Sequence, residues 1–183
     1  MVSTTERAAA PVRESAEQLL ERARRIAGSV PDPEIPVITL EDLGILREVS
    51  GDAGRVVVTL TPTYTGCPAT EVIRQDVCDA LSAAGIRGAD VRVTLSPPWT
   101  TDWITDEGRR KLREFGIAPP GPAPQAAGMS VIRFMERAPA TGPSCPRCGA
   151  PDTERISEHG STPCKALYRC LACREPFDYF KPY

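Results

Sequence analysis

The sequence predicts an α+β chain, a small two-layer α/β domain followed by a compact four-cysteine domain. Three observations predict it. Over residues 13–117, apolar residues recur first at helical and then at alternating spacing, in the order helix, strand, strand, helix, strand, helix. An uncharged stretch rich in Pro, Gly and Ala, residues 118–128, then interrupts the pattern and reads as a linker. Beyond it, two C-x2-C pairs close the chain.

Residues 1–12 read as a flexible tail. They lack the basic flank and apolar stretch of a secretory signal, which points to a cytoplasmic protein. Ala16, Leu19, Leu20, Ala23, Ile26 and Ala27 fall on one helical face, with Glu and Arg between them and Gly28 at the end. Pro31, Pro33 and Pro36 forbid continuation, so Val30 to Thr39 becomes a rigid extended connection around Asp32-Pro33-Glu34. Two β-rich runs, Ile45 to Val49 and Arg55 to Thr61, flank Ser50-Gly51-Asp52-Ala53-Gly54. That is a hairpin with a loop slightly longer than the tightest kind.

A second helix runs through Val72, Ile73, Val77, Ala80, Leu81 and Ala84 and closes at Gly85. This puts Cys67 at or near its N-cap, with Pro68 at the first helical position, where the missing N–H costs nothing. Asp90 to Leu95 alternate as a third strand, which joins the sheet by a crossover. Thr105, with Asp106 and Glu107 behind it, opens a third helix ending near Phe115. Met129 to Arg137 reads as a strand that either packs on the first domain or leads into the second, residues 129–183.

Composition narrows the function. An apolar content of 41% supports a real core, yet the longest apolar runs, such as Val56-Val57-Val58, are far too short to cross a bilayer. The net charge of −2 divides into −3 over residues 1–143 and +1 over residues 144–183. Neither part is a basic patch, which disfavours a zinc-ribbon nucleic-acid module, because such binding depends on neutralising phosphates. Seven cysteines in a reducing compartment indicate metal or thiol chemistry rather than disulfides.

Cys145-Pro-Arg-Cys148-Gly149 and Cys170-Leu-Ala-Cys173 are separated by 21 residues, one beyond the usual zinc-ribbon span. Two thiolates three residues apart converge from one tight turn, and two such knuckles complete a tetrahedron around a metal. A closed tetrathiolate is structural rather than catalytic. Zinc is favoured, but the ligand set alone does not choose between zinc and iron. The single histidine, His159, excludes a two-histidine metal site. It also excludes a di-iron oxygenase centre built from paired Glu-x-x-His motifs, so the chain reads as a non-enzyme.

Cys67 admits two readings. A helix N-terminus lowers a thiol's pKa and favours the reactive thiolate, while a small apolar residue also simply packs at such a junction. Asp32 and Glu34 are candidates to supply carboxylate oxygen beside that thiol. Cys78, inside the helix, reads as inert core. Cys164 reads as a packed residue, a spare ligand or a reactive thiol beside Lys165. Trp99 and Trp103 either anchor a partner or staple their loop to the core.

The ordered series Asp32-Pro33-Glu34-Ile35-Pro36, Asp42-Leu43-Gly44, Thr61 to Pro68 and Pro97-Pro98-Trp99 resembles the iron-sulfur assembly domain. Bacterial SufT-type proteins and eukaryotic cytosolic iron-sulfur targeting factors share that domain. The run Ser157 to Cys170, with Glu175-Pro176-Phe177-Asp178-Tyr179-Phe180-Lys181 after it, resembles the PaaD family, also called PaaJ, of the bacterial phenylacetate pathway. The resemblance spans about residues 16–183, with a histidine at position 159 where the family has an aromatic. It implies a maturation factor belonging with the multicomponent phenylacetyl-CoA epoxidase, whose other subunits include a di-iron oxygenase and an iron-sulfur flavin reductase. It also implies Cys67 as the thiol that handles iron or a transient iron-sulfur cluster, Asp32 and Glu34 as its acidic motif, and Cys145, Cys148, Cys170 and Cys173 as metal ligands. A structural subunit anchored through Trp99 and Trp103 is the alternative, and pairing with a second copy of the chain stays open.

Overall fold

The computed structural model describes residues 14–52, 55–122 and 142–183. Helix α1 (Ala16–Gly28) starts at a capping box. Gln18 N–H donates to Ser15 Oγ at 3.2 Å while Ser15 N–H donates to Gln18 Oε1 at 3.0 Å. Its apolar stripe buries Ala23 and Ala27 fully, and the small side chains let the helix lie close on the sheet beneath. The proline-rich connection follows, closed by a bridge between Pro31 and Thr39.

Strands β1 (Leu46–Asp52) and β2 (Arg55–Leu60) form an antiparallel hairpin, and β3 (Asp90–Val93) lies parallel to β2. The sheet order β1-β2-β3 is the crossover the sequence predicts, made by α2 (Thr70–Ala83). The hairpin is tighter than its composition indicates. Pairing runs through to Asp52 and Arg55, where Arg55 N–H donates to Asp52 Oδ1 at 3.1 Å, so two residues connect the strands. Val56, Val58 and Leu60 point from β2 into the core, meeting Ile73, Val77 and Leu81 of α2. Helices α1 and α2 thus pack on a three-stranded sheet, giving the two layers.

Gly44 closes the Asp42-Leu43-Gly44 turn at φ 68, where a Cβ would stand 2.6 Å from both Cβ and O of Trp103. The turn is welded to α3 (Asp106–Glu114) by Asp42, whose Oδ2 accepts from Lys111 Nζ at 2.6 Å and from Thr39 N–H at 3.0 Å.

The second sheet has the order β4-β7-β6-β5, from β4 (Ile117–Ala118), β5 (Thr153–Ser157), β6 (Lys165–Cys170) and β7 (Pro176–Phe180). Its first strand comes from the end of α3. Ala118, which composition places in the linker, is a 1% exposed strand residue paired with Tyr179. The sheet also reaches into the main core, where Phe180 and Cys164 are buried beside the apolar residues of the first sheet. The two halves therefore share packing and an edge strand. The strand expected at Met129 to Arg137 and most of the linker lie outside the described residues.

Candidate functional site

The two C-x2-C turns are near-copies of one another. Gly149 N–H donates to Cys145 O at 2.9 Å and Arg174 N–H to Cys170 O at 3.0 Å. Cys145 N–H and Cys170 N–H in turn donate to Ala150 O and Glu175 O at 2.9 and 3.0 Å. The residue after each second cysteine takes the left-handed conformation, Gly149 at φ 77 and Arg174 at φ 68. The first has no Cβ to strain; the second shows that the knuckle geometry overrides the local preference.

These turns bring four sulfurs together. Cys145 Sγ lies 3.8 Å from Cys173 Sγ, Cys148 Sγ lies 3.6 Å from Cys170 Sγ, and all four lie within 4.8 Å of one another. A tetrahedron of metal–sulfur bonds of about 2.3 Å has edges of about 3.8 Å, whereas a disulfide needs about 2 Å. The donor set therefore fits one metal ion. Cys173 N–H donates to Cys170 Sγ at 3.4 Å, and this contact leads the causes that draw the Cys170 thiol down to about 7. Cys145 and Cys170 are buried, Cys173 is half-buried and Cys148 is exposed, so the ion would sit under the surface with a full protein ligand set.

A second group of functional side chains gathers where the halves meet. Asp32, Glu34, Cys67 and Cys164 line one cavity of about 20 Å³, walled by apolar residues including Ile35 and Phe180. The two carboxylates have different work. Asp32 Oδ1 accepts from Glu34 N–H and Ile35 N–H, each at 2.9 Å, which locks the turn that presents Glu34. Glu34 Oε2 stands 3.9 Å from Cys164 Sγ, which also meets Thr162 Oγ1 at 2.9 Å. Burial raises the pKa of both carboxyls and pushes the Cys164 thiol up to about 11. Lys165 is 3% exposed, with Nζ 3.9 Å from Asp178 Oδ2. Among the described residues the buried Tyr64 hydroxyl makes no hydrogen bond of good geometry; burial and then the neighbouring Cys67 sulfur raise its pKa.

Cys67 lies near the N-cap of α2, as expected, but the placement of Pro68 at the first helical position needs correction. Helix α2 begins at Thr70 with Ala69 as N-cap, so Cys67 lies two residues upstream, and Pro68 is outside the helix. A separate turn holds it, with Cys67 N–H donating to Tyr64 O at 3.3 Å and its carbonyl accepting from Thr70 N–H at 3.2 Å.

Trp99 needs correction as a partner anchor too. It is 5% exposed, its Nε1–H donates to Leu43 O at 2.9 Å, and its ring lies 6.0 Å from that of Phe180. It staples the two halves from inside. Trp103 is half-buried under the Arg47 guanidinium, 3.5 Å above its ring. Cys78 packs half-buried against the core, and His159 is exposed. Cys164 as a member of the Cys67 pocket escapes sequence reasoning, because Glu34 and Cys164 stand 130 residues apart.

Comparison with known proteins agrees with this two-part layout. Residues 21–95 match the iron-sulfur cluster assembly protein family, and residues 133–181 match the PaaD zinc beta ribbon domain. A crystal structure of a domain of unknown function, DUF59, from Bacillus anthracis superposes with a TM-score of 0.50 at 27% identity, covering 53% of this chain and 93% of that one. The fold and the four-cysteine group thus define a protein with an iron-sulfur assembly domain joined to a zinc beta ribbon.

An Escherichia coli K12 protein named for a subunit of the 1,2-phenylacetyl-CoA epoxidase is 47% identical over 156 residues, covering 85% of this chain and 88% of its own. The chain belongs to the PaaD family of phenylacetyl-CoA epoxidase subunits. A Porphyromonas gingivalis protein named Fe-S protein maturation auxiliary factor is 38% identical over 90 residues, covering 48% of this chain and 85% of its own. Among the described residues, no helix is long and apolar enough to cross a membrane.

Proposed function

We propose that this chain is an accessory maturation factor of the phenylacetyl-CoA epoxidase in phenylacetate catabolism, with no catalysis of its own. It helps load iron or an iron-sulfur cluster into the oxygenase or reductase subunit, its partners. The reading rests on one observation: an unpaired, half-buried thiol, Cys67, shares a pocket with Glu34 in a domain whose relatives include named Fe-S protein maturation factors. Thiolates suit such work because they bind iron well and exchange it by ligand substitution. In this reading the four knuckle cysteines hold zinc. That ion has a structural role, since four protein thiolates leave no open position for substrate.

The test is to assemble the epoxidase with the Cys67→Ser protein in place of the wild type and measure iron content and epoxidation. Iron loading and activity should both fall severalfold, with the subunits still associated. Full iron and full activity would end the role given to this thiol. If removing the whole protein instead dissociates the subunits without changing their metal content, a purely structural subunit is the better description.

A further inference from the structure

Helix α1 carries a groove that neither the maturation reading nor the four-cysteine group uses. It holds about 910 Å³, and its lining runs along α1 and onto β1 at Val49. Half-buried Leu20 and Val49 give it an apolar floor. The charges around that floor are segregated, with Glu17 and Glu21 toward the start of the helix and Arg24 and Arg25 toward its end. Among the described residues none of these four makes an ion pair, whereas their neighbours Glu14 and Arg22 pair at 2.8 Å. Glu21 and Arg25 have the spacing for a bridge within one helix, yet the structure leaves both turned outward unpaired.

The strand beside this helix is open as well. β1 ends its sheet, paired with β2 on one side and with no described strand on the other. Natural edge strands are usually guarded by proline, lysine or a bulge. β1 has neither proline nor lysine, its bulge is confined to Leu46/Glu48, and Arg47 is turned onto the Trp103 ring at 3.5 Å.

We propose that α1 and β1 form a self-complementary interface on which a second copy of this chain docks about a two-fold axis. The axis passes through Val49, the middle residue of β1, so that β1 runs antiparallel to the partner's β1 and the two three-stranded sheets join edge to edge. Because α1 packs on β1, the same rotation sets the two α1 helices head to tail. The axis crosses α1 between its acidic and basic pairs. Glu17 and Glu21 of each copy therefore face Arg24 and Arg25 of the other, while Leu20 and Val49 close over their own copies.

The strand register follows from charge. Centred on Val49, the pairing sets Glu48 opposite the partner's Ser50 and Arg47 opposite the partner's Gly51. Centred one residue later, on Ser50, it would set Glu48 opposite the partner's Asp52, and like charges directly opposed are destabilising. This surface is independent of the thiol pocket and of the role given to Cys67.

The test is sedimentation of the full chain between about 1 and 100 µM, where an interface of modest size populates monomer and dimer. A reversible dimer is expected, weakened severalfold when NaCl is raised from about 0.05 to 0.5 M. Glu17→Arg with Glu21→Arg, and separately Arg24→Glu with Arg25→Glu, should each weaken self-association by at least about tenfold. An equal mixture of the two variants should dimerise again, a recovery that misfolded chains would not give. Hydrogen exchange in β1 should slow as concentration rises. A chain that stays monomeric at 100 µM overturns the proposal. So does a dimer indifferent to both charge reversals, which would place its interface elsewhere. If β1 is protected at every concentration in a monomer, another segment of the same chain covers the edge. If the reversals instead impair only binding to other epoxidase subunits, a different protein does. Either result also overturns the proposal.

Discussion

The four-cysteine knuckle and the junction pocket both gather thiols, and they do so by opposite means. In the knuckle, each pair of ligands sits three residues apart on a turn whose hydrogen bonds repeat almost atom for atom, and the sulfurs already stand at tetrahedral spacing. In the pocket, Cys67 comes from the turn between β2 and α2 and Cys164 from the residue before β6, and their neighbour Glu34 is held by a turn 130 residues from Cys164. A site written in local spacing is preassembled and suits permanent occupancy. A site completed by domain packing is looser and depends on the interface that makes it.

The largest effect that sharpens this contrast comes from removing the metal. Structural zinc supplies roughly 10 kcal/mol or more in zinc-finger peptides, and the second sheet has few buried residues of its own beyond the cysteines, Ala118 and Phe177. Chelation or Cys170→Ser should therefore abolish amide protection in β5, β6 and β7 while β1 to β3 stay protected. Hydrogen exchange read by mass spectrometry separates the two sheets. Equal loss in both would show that the halves fold as one unit.

A smaller effect tests the interface. Trp99→Ala deletes the ring between Leu43 and Phe180, a change that typically costs about 3–5 kcal/mol in a core. Chemical denaturation should show that loss with the metal content of the knuckle unchanged. If the variant sheds its metal as readily as Cys170→Ser, the knuckle is not self-sufficient and the contrast breaks.

The smallest effect concerns Asp32. Its carboxyl pKa is raised, first by burial and against the pull of the Glu34 and Ile35 N–H groups. Its contribution to stability is therefore fully present below the ordinary 3.8 and lost as pH rises through the higher native value. Asp32→Asn keeps an oxygen at the turn and removes that buried charge, so neutral-pH stability should hold or rise by under about 1 kcal/mol. Asp32→Ala loses the turn's acceptor and should cost about 1–2 kcal/mol. Urea unfolding at neutral pH distinguishes them. A large loss in the Asn variant would mean that the charge itself is needed.

Much of this was legible in the residues. The alternation in β2, the apolar face of α1, the capping signal of α3 and the crossover to β3 follow from periodicity and cap chemistry, which act over a few residues. The knuckle was legible for the same reason. Pro68 was misplaced because Cys-Pro before an apolar stripe looks the same whether the helix begins there or, as here, after an intervening turn at Thr70. Trp99 was ambiguous because an aromatic side chain suits a core and an interface equally, and only its bond to Leu43 O decides.

By itself, then, the amino-acid order determined the two-layer domain, the paired cysteine turns and the family, since each rests on short-range spacing or on motifs in series. Only the tertiary structure decided that β4 crosses into the second sheet, that Phe180 fills the first domain's core, and that Cys164 joins Cys67 beside Glu34. Those juxtapositions depend on which apolar surfaces bury one another across the chain, and because burial is non-directional, periodicity marks the buried face but not its distant partner.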